Sequence, residues 1–264
     1  MASPSLVTIR LSFAVAITAA WLALSASARP SPPTAPANHQ PVLVELFTSE
    51  GCSDCPPADA LLGRLDATQF IAGAQAIVLS EHVTYWNHQG WRDPFSFDAM
   101  DERQRQYSLH FSLDDVYTPQ MVVDGAQQFV GSNAAALSQA VAVAVSTPKV
   151  QIAIKDANFA EGALRFSVLC AANPGTKLVA ALAENATRSE VARGENAGRT
   201  LHHVAVVRVL KEFDSNFADG RPLRLSGSGS FTASETSGPL RLVVFLTDRK
   251  TGHVVAVAQQ IINR

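Results

Sequence analysis

A chain of 264 residues is long enough for one or two domains with real cores. Hydrophobic residues make up 47% of it and charged residues 17%, which excludes a charge-rich disordered chain. With 21 Lys and Arg against 23 Asp and Glu, the formal charge of −2 leaves no basic excess for a phosphate backbone, so no nucleic acid is expected as a partner.

The chain opens with Arg10 ahead of an apolar run from Leu11 to Leu24, followed by Ser25, Ala26, Ser27 and Ala28. A charge, a short apolar core and a small-x-small site read as a secretory signal peptide over residues 1–28. The run falls short of the roughly 20 residues of a spanning helix. An uncleaved anchor is the alternative, because Arg10 is the sole charge before the run. The mature chain is therefore expected to be secreted or periplasmic, with no membrane span after signal cleavage, in a compartment where disulfides persist. Residues 29–41, with prolines at 30, 32, 33, 36 and 41, read as a linker.

Val42 to Thr48 is apolar on both faces apart from Glu45 and predicts a central strand. Cys52-Ser53-Asp54-Cys55 then stands between that strand and a helical pattern of Ala58, Leu61, Leu62 and Leu65. At such a junction the unpaired N–H groups and positive end of a helix stabilise a thiolate. Cys52, at the exposed outer end, is expected to attack a substrate disulfide, and Cys55 to resolve the mixed disulfide. Glu50, Asp54 and Asp59 lie close in sequence and oppose thiolate formation, which predicts a more reducing poise than that of a dedicated oxidase. Two other readings stay open for the pair: a static structural disulfide, or part of a metal site. A zinc site would want four ligands, and only His82 and His88 are at hand as distant candidates. No metal or cofactor is therefore expected.

Ala76 to Ser80 predicts a second strand. Residues 82–95 then concentrate His82, Tyr85, Trp86, His88, Trp91, Arg92, Asp93 and Phe95. Trp86 and Trp91 read either as a wall for bound substrate or as a closure of the core over an irregular segment. A polar helix is predicted over Asp98 to Tyr107, a hairpin around Asp124-Gly125, and an Ala- and Val-rich helix from Asn133 that stops before Pro148. Strand, helix, strand, helix, hairpin, helix is the order of a thioredoxin-like fold, so residues 42–147 are expected to form an α/β thioredoxin-like domain. In that fold Thr118-Pro119 is expected to be a cis pair that offers backbone groups to an extended peptide. A carboxylate on the first strand would sit behind the cysteines, so Glu45 is expected to take the proton of Cys55, or else to reach solvent from a strand end.

After Pro148 the chain turns to short runs of Val, Leu, Ile and Phe broken by Gly, Asn, Asp and Pro. Residues 148–264 are expected to form a mostly-β, sandwich-like domain of about seven strands. His202 and His203 are neighbours in a predicted strand, so they face opposite sides. Arg193 and Glu195 read as a surface pair or turn, or as part of a domain interface or ligand site. Cys170 reads as a small buried hydrophobe.

The runs ELFTSEGCSDCPPADALL (Glu45 to Leu62), HVTYWNHQGWRDPF (His82 to Phe95), Arg103-Gln104 and VYTPQMVVDG resemble the bacterial secreted family known as domain of unknown function 1223. Arg193-Gly194-Glu195-Asn196 with Gly198-Arg199 and His203 resembles a second motif of that family. The resemblance implies a thioredoxin-like domain and carries no established activity. The expected function is a thiol–disulfide oxidoreductase or redox chaperone, acting on protein thiols and disulfides of exported proteins. The alternatives are a non-catalytic binding module with a structural disulfide, or a metal (copper) carrier using the same cysteines.

Overall fold

The computed structural model describes residues 39–160, 163–170, 175–213, 223–225 and 238–262. The expected signal peptide over residues 1–28, and the linker as far as residue 38, lie outside them. Strand β1 (Gln40–Thr48) is buried along its last seven residues, as a run apolar on both faces requires. Helix α1 (Pro56–Thr68) starts with prolines in its first turn, where missing N–H groups cost nothing, and ends at Gln69 in the left-handed region. Strand β2 (Ala74–His82) pairs parallel with β1, placing Phe47 opposite Glu81 and Thr48 opposite His82. Helix α2 (Asp98–His110) and the hairpin of β3 (Gln120–Val123) and β4 (Gln127–Val130) follow. In α3 (Ala134–Val145) the Asn133 side chain caps the amide of Ala136 at 3.0 Å.

Beyond α3 the chain is all strand among the described residues: β5 (Ile152–Ala160), β6 (Ala163–Cys170), β7 (Thr176–Glu190), β8 (Thr200–Phe213), β9 (Leu223–Leu225), β10 (Leu240–Asp248) and β11 (Val254–Ile262). They do not build a separate sandwich. Eight strands form one mixed sheet in the order β11-β10-β7-β8-β2-β1-β3-β4, and β5-β6-β9 form a small second sheet. This corrects the expectation of an α/β thioredoxin-like domain followed by a sandwich-like β domain: the protein is mostly β, with three helices among the described residues. The cause is the outer edge of β2, which accepts β8 in parallel through Ser80 and Val206. Local patterning identifies strands but does not say which edge a strand will join.

The packing follows from the same continuity. Val179, Ala181 and Ala183 of β7, with Val243 and Phe245 of β10, join the core made by β1, β2 and the helices. The alternate residues Leu178, Ala180, Leu182, Leu242, Val244 and Leu246 face a second core with Leu164, Phe166 and Val168 of β6. Strands β7 and β10 are therefore covered on both sides, which explains why their sequences run apolar instead of alternating with polar residues. All the described residues fall in one compact unit.

Candidate functional site

Cys52 and Cys55 form a disulfide with Cα atoms 5.4 Å apart. Cys55 occupies the N-cap of α1, and its carbonyl accepts from the amides of Ala58 (2.9 Å) and Asp59 (3.1 Å). Ser53 and Asp54 between them are exposed. The sulfur-bearing residues are not: Cys52 is 1% exposed and Cys55 0%. The expectation that Cys52 stands at an exposed outer end is thus corrected.

The tip of the β7–β8 hairpin is fastened to the backbone around Cys52. A bulge between Leu182 and Ala183 interrupts the pairing of these strands, a device that bends a hairpin and re-aims its end. The outer half then reaches the cysteines. Asn196, fully buried, donates from Nδ2 to the carbonyls of Glu50 and Cys52, both at 2.9 Å. Glu195 accepts from the amide of Ser53 at 3.0 Å, and hydrogen bonding from Ser53, its side chain first and then this amide, holds the carboxyl below the ordinary value. Gly194 at φ 78° lies against Trp91, where a Cβ would come within 3.1 Å of the tryptophan Cβ. A side chain there would be both strained and crowded.

Beneath the tip sits a buried charge cluster. The Glu50 carboxylate accepts from the Trp91 indole (2.8 Å) and the Ser189 hydroxyl (3.1 Å), and its other oxygen meets His203 Nε2 at 3.3 Å. His203 Nδ1 faces Asp59 Oδ1 at 3.5 Å, too long for a hydrogen bond of good geometry and better described as an ion pair. Burial alone would lower the His203 pKa, but Asp59 and Glu50 outweigh it and push it up to about 10, so the ring carries a proton at neutral pH. The His82 ring stands edge-on to His203 at 4.6 Å and shares a 2.7 Å hydrogen bond with Asp93 through Nδ1. Asp93 also accepts from the Glu50 amide at 2.8 Å. Burial opposes the ionised form of Asp93, yet His82 and the amides of Glu50 and Phe95 hold its carboxyl below the ordinary range.

A family model described as a protein of unknown function (DUF1223) matches residues 43–246. The chain belongs to this family. The matched span contains both cysteines, the hairpin tip and His203. Among solved structures, an X-ray structure of a protein from Agrobacterium tumefaciens from a structural genomics consortium is similar, with 22% identity and a TM-score of 0.58. The match covers 84% of this chain and 93% of that one, and shows a shared fold. No curated protein matches the sequence significantly.

The other sequence-predicted residues divide into two groups. The Thr118–Pro119 bond is cis, and the Thr118 hydroxyl accepts from the Trp86 indole at 2.7 Å. Trp86 in turn lies against Gly51, where a Cβ would be 3.0 Å from its own. Gly131 admits Leu46, Ala58 and Pro119 around one point, since an added Cβ would meet them at 2.8 to 3.1 Å. Cys52, Cys55, Thr118, Pro119, Trp86 and Trp91 thus share one neighbourhood.

Glu45 belongs elsewhere. It alternates with Leu46, which packs toward α1, so its carboxylate points to the other sheet face. There it accepts from Arg103 Nε and Tyr107 Oη, each at 2.5 Å. No described contact joins it to either cysteine. Glu81 lies in the same buried site, 3.6 Å from Arg103, with neither oxygen hydrogen-bonded. Burial first, and then the Glu45 charge, raise the Glu81 pKa well above the ordinary carboxyl value.

Sequence reasoning missed Asn196 and His203 as site residues. The second motif and the strand alternation at His202 and His203 were the signals. His202 is exposed and His203 is buried, so only the latter reaches the cluster. Among the described residues no group of three or more His, Cys, Asp and Glu is disposed to hold a metal ion, and no helix is long and apolar enough to cross a membrane.

Proposed function

We propose that the chain is an exported thiol–disulfide oxidoreductase or redox chaperone that works through Cys52 and Cys55 on protein thiols and disulfides. One observation carries the reading: the disulfide at the start of α1 lies beside the buried cluster of Glu50, Asp59 and a protonated His203, and the Asp59 amide bonds the Cys55 carbonyl at 3.1 Å. Buried acids and a cation beside a C-x-x-C supply the means to hold or give up a proton as a thiolate forms. The exported setting is supported by the leader-like segment ahead of Ala28.

In the reduced protein, the Cys52 thiolate attacks one sulfur of a substrate disulfide and releases the other as a thiol. Cys55 then attacks Cys52 Sγ, and the second substrate sulfur leaves as a thiol. The substrate has gained two electrons and two protons, and the Cys52–Cys55 bond has re-formed; a dithiol partner must reduce it again. Because both cysteines are covered, the hairpin tip around Asn196 has to withdraw for either attack.

Burial of the pair favours a second reading, a structural disulfide in a binding module. One titration separates them. The mature protein is equilibrated with glutathione buffers and its thiols are trapped and counted. A reduction potential between about −120 and −270 mV is expected for the exchange reading. A value below about −300 mV, with no thiol trapped under mild reductant, gives the structural reading and overturns the first.

A further inference from the structure

Beside the cis-proline segment an open groove of about 620 Å³ runs between the end of α2 and the chain that follows it. Its apolar lining is Tyr85, Leu109, Leu113 and Val116. Leu109 is 81% exposed, so this leucine is held in water by the fold. The rim is acidic. Asp101, Asp114 and Asp115 line it, against one cation, Arg105, which is already paired with Glu102 at 2.9 Å. Asp101 serves Thr84, and Asp115 accepts from the amide of Val116 at 2.8 Å. Asp114 has no hydrogen-bond or ion-pair partner among the described residues.

Apolar floor and uncompensated acid together specify the occupant: a side chain that gives up water, next to a positive charge that answers the rim. A carboxylate-bearing or wholly apolar ligand fits one half of the site and not the other. Neighbouring residues tie the groove to the cysteine site. Tyr85 lines it, while the next residue, Trp86, bonds Thr118 and packs on Gly51, beside Cys52.

We infer that this groove binds an extended polypeptide segment in which an apolar residue is flanked by lysine or arginine, and that it selects the proteins presented to Cys52 and Cys55. The selection rests on the redox reading, whereas the binding stands without it. The probe is a short, cysteine-free, fluorescein-labelled peptide with the core Lys-Leu-Leu-Lys, compared by anisotropy with its Glu-Leu-Leu-Glu counterpart. The lysine peptide is expected to bind at least about tenfold more tightly, with affinity falling as salt rises. Asp114→Asn with Asp115→Asn is expected to weaken it about three- to tenfold, as the loss of two exposed ion pairs would. Leu109→Asn is expected to weaken both peptides, with an unchanged melting temperature showing that the fold is intact.

Equal affinity for the two peptides, or no effect of the double variant, overturns the assignment. Self-association abolished by Leu109→Asn also overturns it, by giving the groove to a second copy of the chain. Binding as expected in a protein whose reduction potential lies below about −300 mV would overturn the redox reading and keep the groove. A potential in the exchange range without peptide binding would do the reverse.

Discussion

His203 holds its proton between two buried carboxylates, and that position dictates how stability responds to pH. An unfolded imidazole titrates near 6.5 and the folded one at about 10. A raised pKa stabilises fully below the unfolded value and loses that stabilisation as pH climbs to the folded one. The melting temperature is therefore expected to fall between pH 6.5 and about 10, and this part of the slope is expected to vanish in His203→Gln. The same variant leaves Glu50 and Asp59 without their cation and is expected to cost about 3–5 kcal/mol at neutral pH, read by urea unfolding. A wild-type slope retained in the variant would remove His203 as its source. At this scale the sequence was informative about Cys52, Cys55, Trp86 and Thr118, which lie close to a recognisable motif. It was misleading about Glu45, because periodicity places a side chain on a face without naming its partner. Arg103, which takes that partnership, lies in a helix whose sequence is mostly polar.

The hairpin tip is expected to set the accessibility of the disulfide. Two hydrogen bonds from Asn196 and one to Glu195 fasten it to the backbone around Cys52. Asn196→Ala removes the two bonds and leaves the buried Glu50 carbonyl unpaired, a loss of about 1–3 kcal/mol where no water enters, while the Cys52 carbonyl keeps its bond from the Cys55 amide at 3.3 Å. The tip then opens more often. Reduction by dithiothreitol, followed by thiol trapping, is expected to be about tenfold faster in this variant, with Glu195→Gln closer to the parent. An unchanged rate would mean that reduction does not pass through opening of the tip. Most element types were legible from periodicity, including β1, α1, the β3–β4 hairpin and the capped α3. The bulge that aims β7–β8 was not, since nothing in the run from Leu178 to Glu190 distinguishes a paired residue from an extra one.

Across the whole molecule, one sheet crosses the position where composition changes at Pro148. Val179, Ala181, Ala205, Val207, Val243 and Phe245 belong to the same core as Val44 and Leu79. A fragment limited to residues 39–147 would expose that surface and the edge of β2, and it is expected to show no cooperative thermal transition by circular dichroism. A sharp transition would establish an independent first domain. The two-sided apolar runs of β7 and β10 were the available sign that these strands lie inside and not on a sandwich face. The parallel seam at Ser80 and Val206 had no sequence signal, because pairing partners so far apart are chosen by the finished core. The hairpin tip has a consequence for synthesis as well. Glu195 follows Ser53 by 142 residues, so at the usual pace of translation the cysteines emerge roughly 7 to 28 seconds before the segment that seals them. Throughout that interval the thiols of the growing chain are open to any oxidant or isomerase they meet, and the last third of the sequence closes the window.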